Sequence, residues 1–231
     1  MSEPAAAPTG LGPKGTVTTV EPDRYERTVV RRSAQTRATV PSVEFAADVD
    51  MDRGLASEAQ LGCGITALLV RAAAHALGLV PRVNGAYRDG HYELYSRINI
   101  GVTIAEEGLY AIPTVFDADE KSAVEIAAEL TDHRIRALDG ELTGADLTGA
   151  TFTLIDSGRY DVATVTPLVI PPQAAALAAG PVRETPVVRD GAVVAGHMMV
   201  ATLAADHRIV YGAYASSFLA EFKAHLEEGI A

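Results

Sequence analysis

The chain has no tryptophan and only one cysteine, Cys63, among its 231 residues. A single thiol cannot close an internal disulfide, and it cannot supply a cluster of cysteine ligands to a metal ion. The sequence therefore excludes a disulfide-stapled scaffold, and nothing in its residue spacing suggests a metal site of any kind. A reducing, cytoplasmic environment is the expected location.

Basic residues are scarce relative to acidic ones. Nineteen lysines and arginines stand against 30 aspartates and glutamates, which gives a net charge of -11 and a sequence pI near 4.9. Nucleic-acid binding needs a basic surface, so this balance argues against a nucleic-acid partner. An anionic ligand would need a local basic site or a set of backbone amides.

Long apolar runs are also missing. No stretch reaches the ~20 apolar residues that span a bilayer, and the N-terminus lacks the layout of a signal peptide, so no membrane partner is expected. Residues 1–20 contain Pro4, Pro8 and Pro13 and are interpreted as a flexible tail. Residues 21–231 are long enough for one sizeable domain.

The rest of the chain alternates between helix and strand patterns. Apolar spacing predicts helices over residues 23–36, 65–79, 119–138 and 213–228. Alternating or apolar runs predict strands over residues 41–49, 98–104, 181–188 and 193–204. Asp190-Gly191 lies between the last two strands and is typical of a tight hairpin turn. The pattern indicates an α/β domain.

Residues 201–212 carry the strongest candidate for chemistry. This stretch predicts a strand that ends at His207, followed by a helix from Gly212 whose Phe218 and Phe222 share one face. A histidine between two rigid elements is well placed to act as a general base. The alternative for this stretch alone is a structural histidine without a catalytic role.

Several segments resemble one family in order and spacing. They are Ala-Asp-His-Arg-Ile-Val-Tyr-Gly at 205–212, Ile-Asn-Ile-Gly-Val at 98–102, Gly-Ala-Thr-Phe-Thr-Leu-Ile-Asp-Ser-Gly at 149–158, and Thr-Pro-Leu-Val-Ile-Pro-Pro-Gln-Ala-Ala at 166–175. The chain thereby resembles the catalytic domain of 2-oxo acid dehydrogenase acyltransferases and, more distantly, chloramphenicol acetyltransferase. The resemblance implies a two-layer sandwich with a mixed central sheet and helices packed on one side, formed by residues 21–231 as a single acyltransferase domain.

The same resemblance assigns His207 as the catalytic base and implies a homotrimer with active sites between subunits. Two positions depart from the family pattern. Tyr211 replaces the aspartate of His-x-x-x-Asp-Gly, and Ile155 replaces a serine that donates to the oxyanion. Because alternate strand residues share a face, Thr153 or Ser157 is a candidate substitute donor. Tyr211 keeps a hydroxyl that can form hydrogen bonds, and it is a candidate either to brace the histidine turn or to contact the oxyanion or the substrate. The sequence identifies no cofactor-binding residue.

These departures, and the expected absence of a lipoyl module in front of the domain, favour an acyl acceptor other than a dihydrolipoyl group. We expect an acyl-CoA-dependent O-acetyltransferase that moves the acetyl group of acetyl-CoA to a hydroxyl of a small molecule, free or carrier-bound, in natural-product biosynthesis of the tetronate type. Acetyl-CoA is then a donor substrate, with no permanently bound cofactor. Two alternatives stay open. One is a dihydrolipoamide acyltransferase that acts on a separate lipoyl carrier, and the other is a scaffold or binding protein with a degraded site.

Overall fold

The computed structural model describes residues 8–13, 15–22, 24–106, 109–160 and 162–230. Within these ranges the helices are α1 (Arg24–Thr39), α2 (Asp52–Leu61), α3 (Ile65–Leu79), α4 (Ala123–Leu138) and α5 (Gly212–Glu228). The strands are β1 (Pro8–Gly12), β2 (Gly15–Thr18), β3 (Ser42–Asp50), β4 (Gly85–Arg88), β5 (His91–Leu94), β6 (Ile100–Val102), β7 (Ile104–Glu106), β8 (Leu109–Ala111), β9 (Thr114–Val115), β10 (Phe152–Asp156), β11 (Ala175–Ala179), β12 (Arg183–Arg189) and β13 (Ala192–Asp206).

The central sheet is mixed and runs in the order β12-β13-β11-β10-β6-β9, with β3 paired to β13 off this path. Strand β10 is parallel to both of its neighbours, β11 and β6, whereas β13 is antiparallel to β11, β12 and β3. The remaining strands form three separate antiparallel pairs, β1 with β2, β4 with β5 and β7 with β8. The α/β architecture predicted from the sequence is confirmed.

Strand β13 is the long strand that ends at the candidate histidine. Its last residues are mostly alanine, and Leu203 pairs with Leu177 of β11 on one side and Phe45 of β3 on the other. Small side chains allow both faces of this strand to be covered, and residues 201–206 are buried. The strand therefore delivers its last residue to a fixed position.

Helices α3 and α5 cover one face of the sheet. Every second residue of the neighbouring strands points toward them, and Leu154, Leu177 and Leu203 belong to the same buried cluster as Phe218 and Phe222 of α5. A large apolar side chain contributes about 2–3 kcal/mol when it is fully buried. This layer therefore anchors α5, and with it the turn that precedes α5.

Helix α1 and residues 162–170 lie over the opposite face of β10. The Thr36 hydroxyl donates to the Val169 carbonyl oxygen at 2.9 Å, which ties the helix to this segment. Thr153 and Ile155 of β10 face the cavity between the sheet and this layer, because alternate residues of a strand point to the same face. Most helical packing is thus on one side of the sheet, and the other side contains an enclosed space.

Several boundaries differ from the sequence-based prediction. The helix predicted to start at residue 119 starts at Ala123, because Ser122 and Glu125 form a capping box that fixes its first turn. Helix α2 was not predicted, since Gly54 interrupts its helical pattern. A Cβ at Gly54 would lie 3.0 Å from the Met51 Cε atom, so a larger residue there would require the Met51 side chain to shift.

The segment predicted as a flexible tail lies partly outside the described residues, and within it β1 and β2 pair with each other. Asp23, included in the first predicted helix, also lies outside them. Among the described residues, no single helix is both long and apolar enough to cross a membrane, although α2 and α3, bent by 114°, meet those limits as a pair. The same residues contain no group of three or more side chains suited to a metal ion.

Candidate active site

Backbone hydrogen bonds to two neighbouring segments fix the turn that carries His207. The Asp206 amide donates to the Ala174 carbonyl oxygen at 2.8 Å, and the His207 amide donates to the Pro41 carbonyl oxygen at 3.0 Å. Ala174 and Pro41 directly precede β11 and β3, respectively. The end of β13 is therefore clamped between its two neighbours at the point where the histidine leaves the sheet.

A buried carboxylate closes the turn from below. Asp206 is 2% exposed, and its Oδ1 atom accepts the Arg208 amide at 3.0 Å and the Arg208 Nε atom at 2.9 Å. Its Oδ2 atom accepts the Arg208 Nη2 atom at 2.6 Å. The pKa of the Arg208 guanidinium is raised by these bonds to Asp206. This bidentate pair flanks His207 on both sides in sequence and fixes the direction in which its side chain leaves the turn.

His207 itself is exposed at this rigid corner. The next residues, Ile209 and Val210, are fully buried and hold the chain against the core. Among the residues that the structure describes, no group hydrogen-bonds to either ring nitrogen of His207. The imidazole therefore combines a fixed backbone with free nitrogens, which is what proton transfer to an incoming group requires.

Tyr211 lies beside the histidine at the start of α5. It is the N-cap residue of the helix, with an extended backbone, and its carbonyl oxygen accepts the Ala215 amide at 3.0 Å. Its ring centroid is 6.1 Å from that of His207, in an edge-on arrangement. The Tyr211 hydroxyl lies 3.4 Å from the Tyr92 hydroxyl of β5. His207 and Tyr211 were predicted site residues, whereas Tyr92 has no signal in the sequence.

The second group of predicted residues lies at a cavity of about 390 Å³. Thr153 and Ile155 line it from β10, and Arg32 is its charged lining residue. The Thr153 hydroxyl donates to the Gln173 Oε1 atom at 2.7 Å, and both side chains are buried. The Gln173 amide nitrogen in turn donates to the Ala150 carbonyl oxygen. Gln173 thus determines where the Thr153 proton points, and sequence reasoning gave it no role.

Ser157 lies away from this cavity. Its hydroxyl donates to the Ala179 carbonyl oxygen at 2.8 Å, and the residue is 1% exposed. The Ser157 amide donates to the same oxygen at 2.9 Å, so both groups hold the end of β10 to β11. The described contacts of Ser157 are therefore structural ones, and Thr153 is the hydroxyl that shares the cavity with Ile155.

One copy of the chain does not bring all these residues together. His207 and Tyr211 form one group, Thr153 and Ile155 form another, and His207 is not among the residues that line the cavity. Arg82, whose guanidinium lies 4.1 Å from the Tyr92 ring centroid, belongs to the histidine group and was missed. The sequence analysis assigned no role to Arg82, because no pattern of catalytic or ligand-binding residues includes it.

Comparisons with known proteins agree on one family. The family described as 2-oxoacid dehydrogenases acyltransferase (catalytic domain) matches residues 14–230. The acetyltransferase component of the pyruvate dehydrogenase complex of Rickettsia bellii is 26% identical over 215 residues, which cover 89% of this chain and 51% of the relative. The succinyltransferase component of the 2-oxoglutarate dehydrogenase complex of the same organism is 31% identical over 238 residues, covering 97% and 59%. The chain thus spans about half the length of these curated relatives.

Solved structures confirm the predicted fold. A probable dihydrolipoamide acetyltransferase from Listeria monocytogenes is 26% identical with a TM-score of 0.87, and the match covers 92% of this chain and 95% of that one. A chloramphenicol acetyltransferase is 15% identical with a TM-score of 0.53, covering 84% and 92%, and shows the fold alone.

These relatives overturn the expected acceptor. Both curated proteins are named as dihydrolipoyllysine-residue acyltransferases, so the prediction of O-acetyl transfer to a natural-product hydroxyl of the tetronate type is wrong. The physical reason is that the Tyr211 hydroxyl approaches that of Tyr92, so this departure from the family pattern reflects local packing and does not identify an acceptor. The match over residues 14–230 establishes that the chain belongs to the 2-oxoacid dehydrogenase acyltransferase family, as a catalytic domain.

Proposed function

We propose that this chain transfers an acyl group between coenzyme A and a thiol of a dihydrolipoyl group on a carrier domain. The names of the relatives support the carrier, and the alternative reading of the sequence had the same acceptor. The observation that carries the proposal is His207, which is exposed on a turn clamped to β3 and β11 and has free ring nitrogens. Coenzyme A supplies or receives the acyl group as a substrate, and no permanently bound cofactor is required.

The reaction needs one proton carrier and one place for negative charge. The imidazole of His207 accepts the proton of the attacking thiol as a general base. The sulfur attacks the thioester carbonyl, which forms a tetrahedral oxyanion. Collapse of this intermediate breaks the other carbon–sulfur bond, and the leaving thiolate takes the proton back from His207. The Asp206–Arg208 pair keeps the imidazole in place throughout.

We also propose that the active site is completed by a second copy of the chain within a trimer. The support is the separation, on one copy, of His207 from the cavity lined by Thr153 and Ile155. The chain has a mass of 24.2 kDa, and light scattering would show a particle of three times that mass if the protein is a trimer. A monomer with full activity would contradict this part of the proposal.

A mixing experiment tests the shared site directly. His207→Ala removes the base, and Ile155→Trp fills the cavity, so each variant trimer is expected to be inactive. When the two are unfolded and refolded together, about a quarter of the interfaces of a random trimer combine an intact histidine with an intact cavity, and activity returns. Failure of the mixture to regain activity, with trimers formed, would place both residues in one subunit's site.

The central test is thioester formation on dihydrolipoamide from acetyl-CoA and from succinyl-CoA, followed by mass spectrometry. We expect His207→Ala to lower kcat at least 100-fold, because it removes a general base. The matched control is His91→Ala, which changes an exposed histidine of β5 and leaves the His207 turn intact. If the wild-type chain acylates dihydrolipoamide from neither donor, the proposal fails, and the scaffold or binding reading takes its place.

A further inference from the structure

The side chain of Tyr211 contacts Tyr92 of β5 and Tyr214 of α5. Its hydroxyl lies 3.4 Å from that of Tyr92, a long hydrogen bond that alone restricts little. Its ring centroid lies 5.6 Å from that of Tyr214, one turn further along α5. Tyr211 is 38% exposed and Tyr92 46% exposed, so both rings would sample several rotamers without these contacts.

Arg82 supplies the missing restraint. Its guanidinium carbon lies 4.1 Å from the centroid of the Tyr92 ring and 5.2 Å from that of the Tyr214 ring. Among the described residues, no carboxylate forms an ion pair with Arg82. The planar cation is therefore free to stack between the two tyrosine rings, and such cation–π contacts favour arginine over lysine.

Either phenol could donate in the hydrogen bond between Tyr92 and Tyr211. The pKa of Tyr92 is lowered, first by its hydrogen bond with Tyr211 and then by Arg82. The pKa of Tyr211 is raised, mainly by its hydrogen bond with Tyr92. The two hydroxyls and the Arg82 cation are therefore close enough for each phenol to respond to its neighbours.

We propose that Tyr92, held by Arg82, is a positioning residue for His207 and acts through Tyr211. The edge-on contact of 6.1 Å between the Tyr211 and His207 rings is the link to the imidazole. Tyr92 fixes the Tyr211 rotamer, and the Tyr211 ring then limits the rotation of His207 on the side facing α5. The proposal rests on the assignment of His207 as the base. It concerns Arg82 and Tyr92, which no motif in the sequence marks.

Removal of single hydroxyl groups tests this arrangement with little change in volume. Tyr92→Phe and Tyr211→Phe each break the bond between the phenols but keep the rings. We expect each variant to lower kcat for acyl transfer to dihydrolipoamide about 3- to 10-fold, because a misplaced base lowers the fraction of productive geometry. The KM values should stay within about twofold, because in this arrangement both hydroxyls act on the position of His207 and not on substrate binding.

The double variant is the decisive measurement. If the two hydroxyls act only through each other, Tyr92→Phe together with Tyr211→Phe lowers kcat no further than either single change. The matched control is Tyr95→Phe, which removes a phenol hydroxyl in the same chain segment and should leave kcat unchanged. Losses that multiply in the double variant, unchanged kcat in both single variants, or a rise in KM without a fall in kcat would each overturn the proposal.

A measurement that does not depend on catalysis tests the positioning role separately from the proposed function. The imidazole signals of His207, identified by their loss in His207→Ala, should shift in the nuclear magnetic resonance spectrum of Tyr92→Phe but not in that of Tyr95→Phe. A wild-type chain inactive toward dihydrolipoamide would end the proposed function, while this shift would still demonstrate the coupling. Unshifted His207 signals in Tyr92→Phe would overturn the positioning role, whatever the activity.

Discussion

The Asp206–Arg208 pair offers the sharpest test of how the histidine turn is held. Its carboxylate side chain is 4% exposed, whereas its guanidinium side chain is 37% exposed. The two partners are therefore unequal, because the arginine can be hydrated when it is alone and the aspartate cannot. We expect Arg208→Gln to destabilise the fold more than Asp206→Asn, although the two changes break the same ion pair.

The magnitudes follow from this asymmetry. Breaking a buried ion pair so that one charge stays uncompensated costs about 3–5 kcal/mol, which applies to Arg208→Gln with Asp206 left behind. In Asp206→Asn the remaining charge reaches water, and the main cost is the weakened hydrogen bonds to Arg208, about 2 kcal/mol. For a domain of this size, 1 kcal/mol corresponds to about 2–4 °C in Tm. The expected decreases are therefore about 4–8 °C for Asp206→Asn and about 6–20 °C for Arg208→Gln.

The assay is thermal unfolding at pH 7 and one fixed protein concentration, since association raises the apparent stability. Glu120→Gln, which neutralises an exposed carboxylate, is the control and should change Tm by less than about 1 °C. In parallel, kcat of Asp206→Asn should fall about 10-fold or more, because the His207 turn loses its lower support. Equal Tm values for the two variants, or a larger decrease for Asp206→Asn, would refute the reasoning from unequal burial.

Three further measurements test the site and the fold. Ile155→Ser should raise kcat about 10-fold if an oxyanion donor is missing at this cavity position, and an unchanged kcat in the thioester assay would show that another group donates. Burial and the neighbouring His75 lower the pKa of His225 to about 4, so the unfolded state binds a proton that the folded state does not, and stability should fall between about pH 6.5 and pH 4. Because the ring is only half buried, we expect a loss of about 1–2 kcal/mol, which His225→Phe should abolish in urea titrations across that range. Ser122→Ala removes the capping box with Glu125 and should cost about 1 kcal/mol in the same titrations, whereas an unchanged midpoint would mean that tertiary packing alone fixes the start of α4.

Features encoded within a short stretch could be predicted from the sequence. The hairpin at Asp190-Gly191 is an example, because both residues adopt positive φ angles, 52° and 80°, as the turn between β12 and β13 requires. The strand, turn and helix around His207 are another. Each of these depends on residues that are adjacent in the chain, so propensity and periodicity contain the necessary information.

Contacts between distant segments could not be predicted in this way. Arg82 and Tyr92 approach Tyr211 across more than a hundred residues, and Gln173 approaches Thr153 across 20 residues. Helix α4 starts at Ala123 and not at residue 119, because Ser122 caps it and apolar spacing alone does not mark a cap. Periodicity gives the face of an element, but it does not give the partner on that face.

The error over the acceptor has the same origin. Ile155 and Tyr211 differ from the family pattern, and each change, taken alone, suggested a site rebuilt for another substrate. In the structure Tyr211 is bound to Tyr92, while Thr153, beside Ile155, donates to Gln173. A changed residue is evidence for a changed substrate only when its side chain is free to meet that substrate. The Tyr211 hydroxyl lies 3.4 Å from that of Tyr92 and its ring packs edge-on to His207, so this departure does not by itself identify a substrate, and the acceptor is proposed from the names of the relatives.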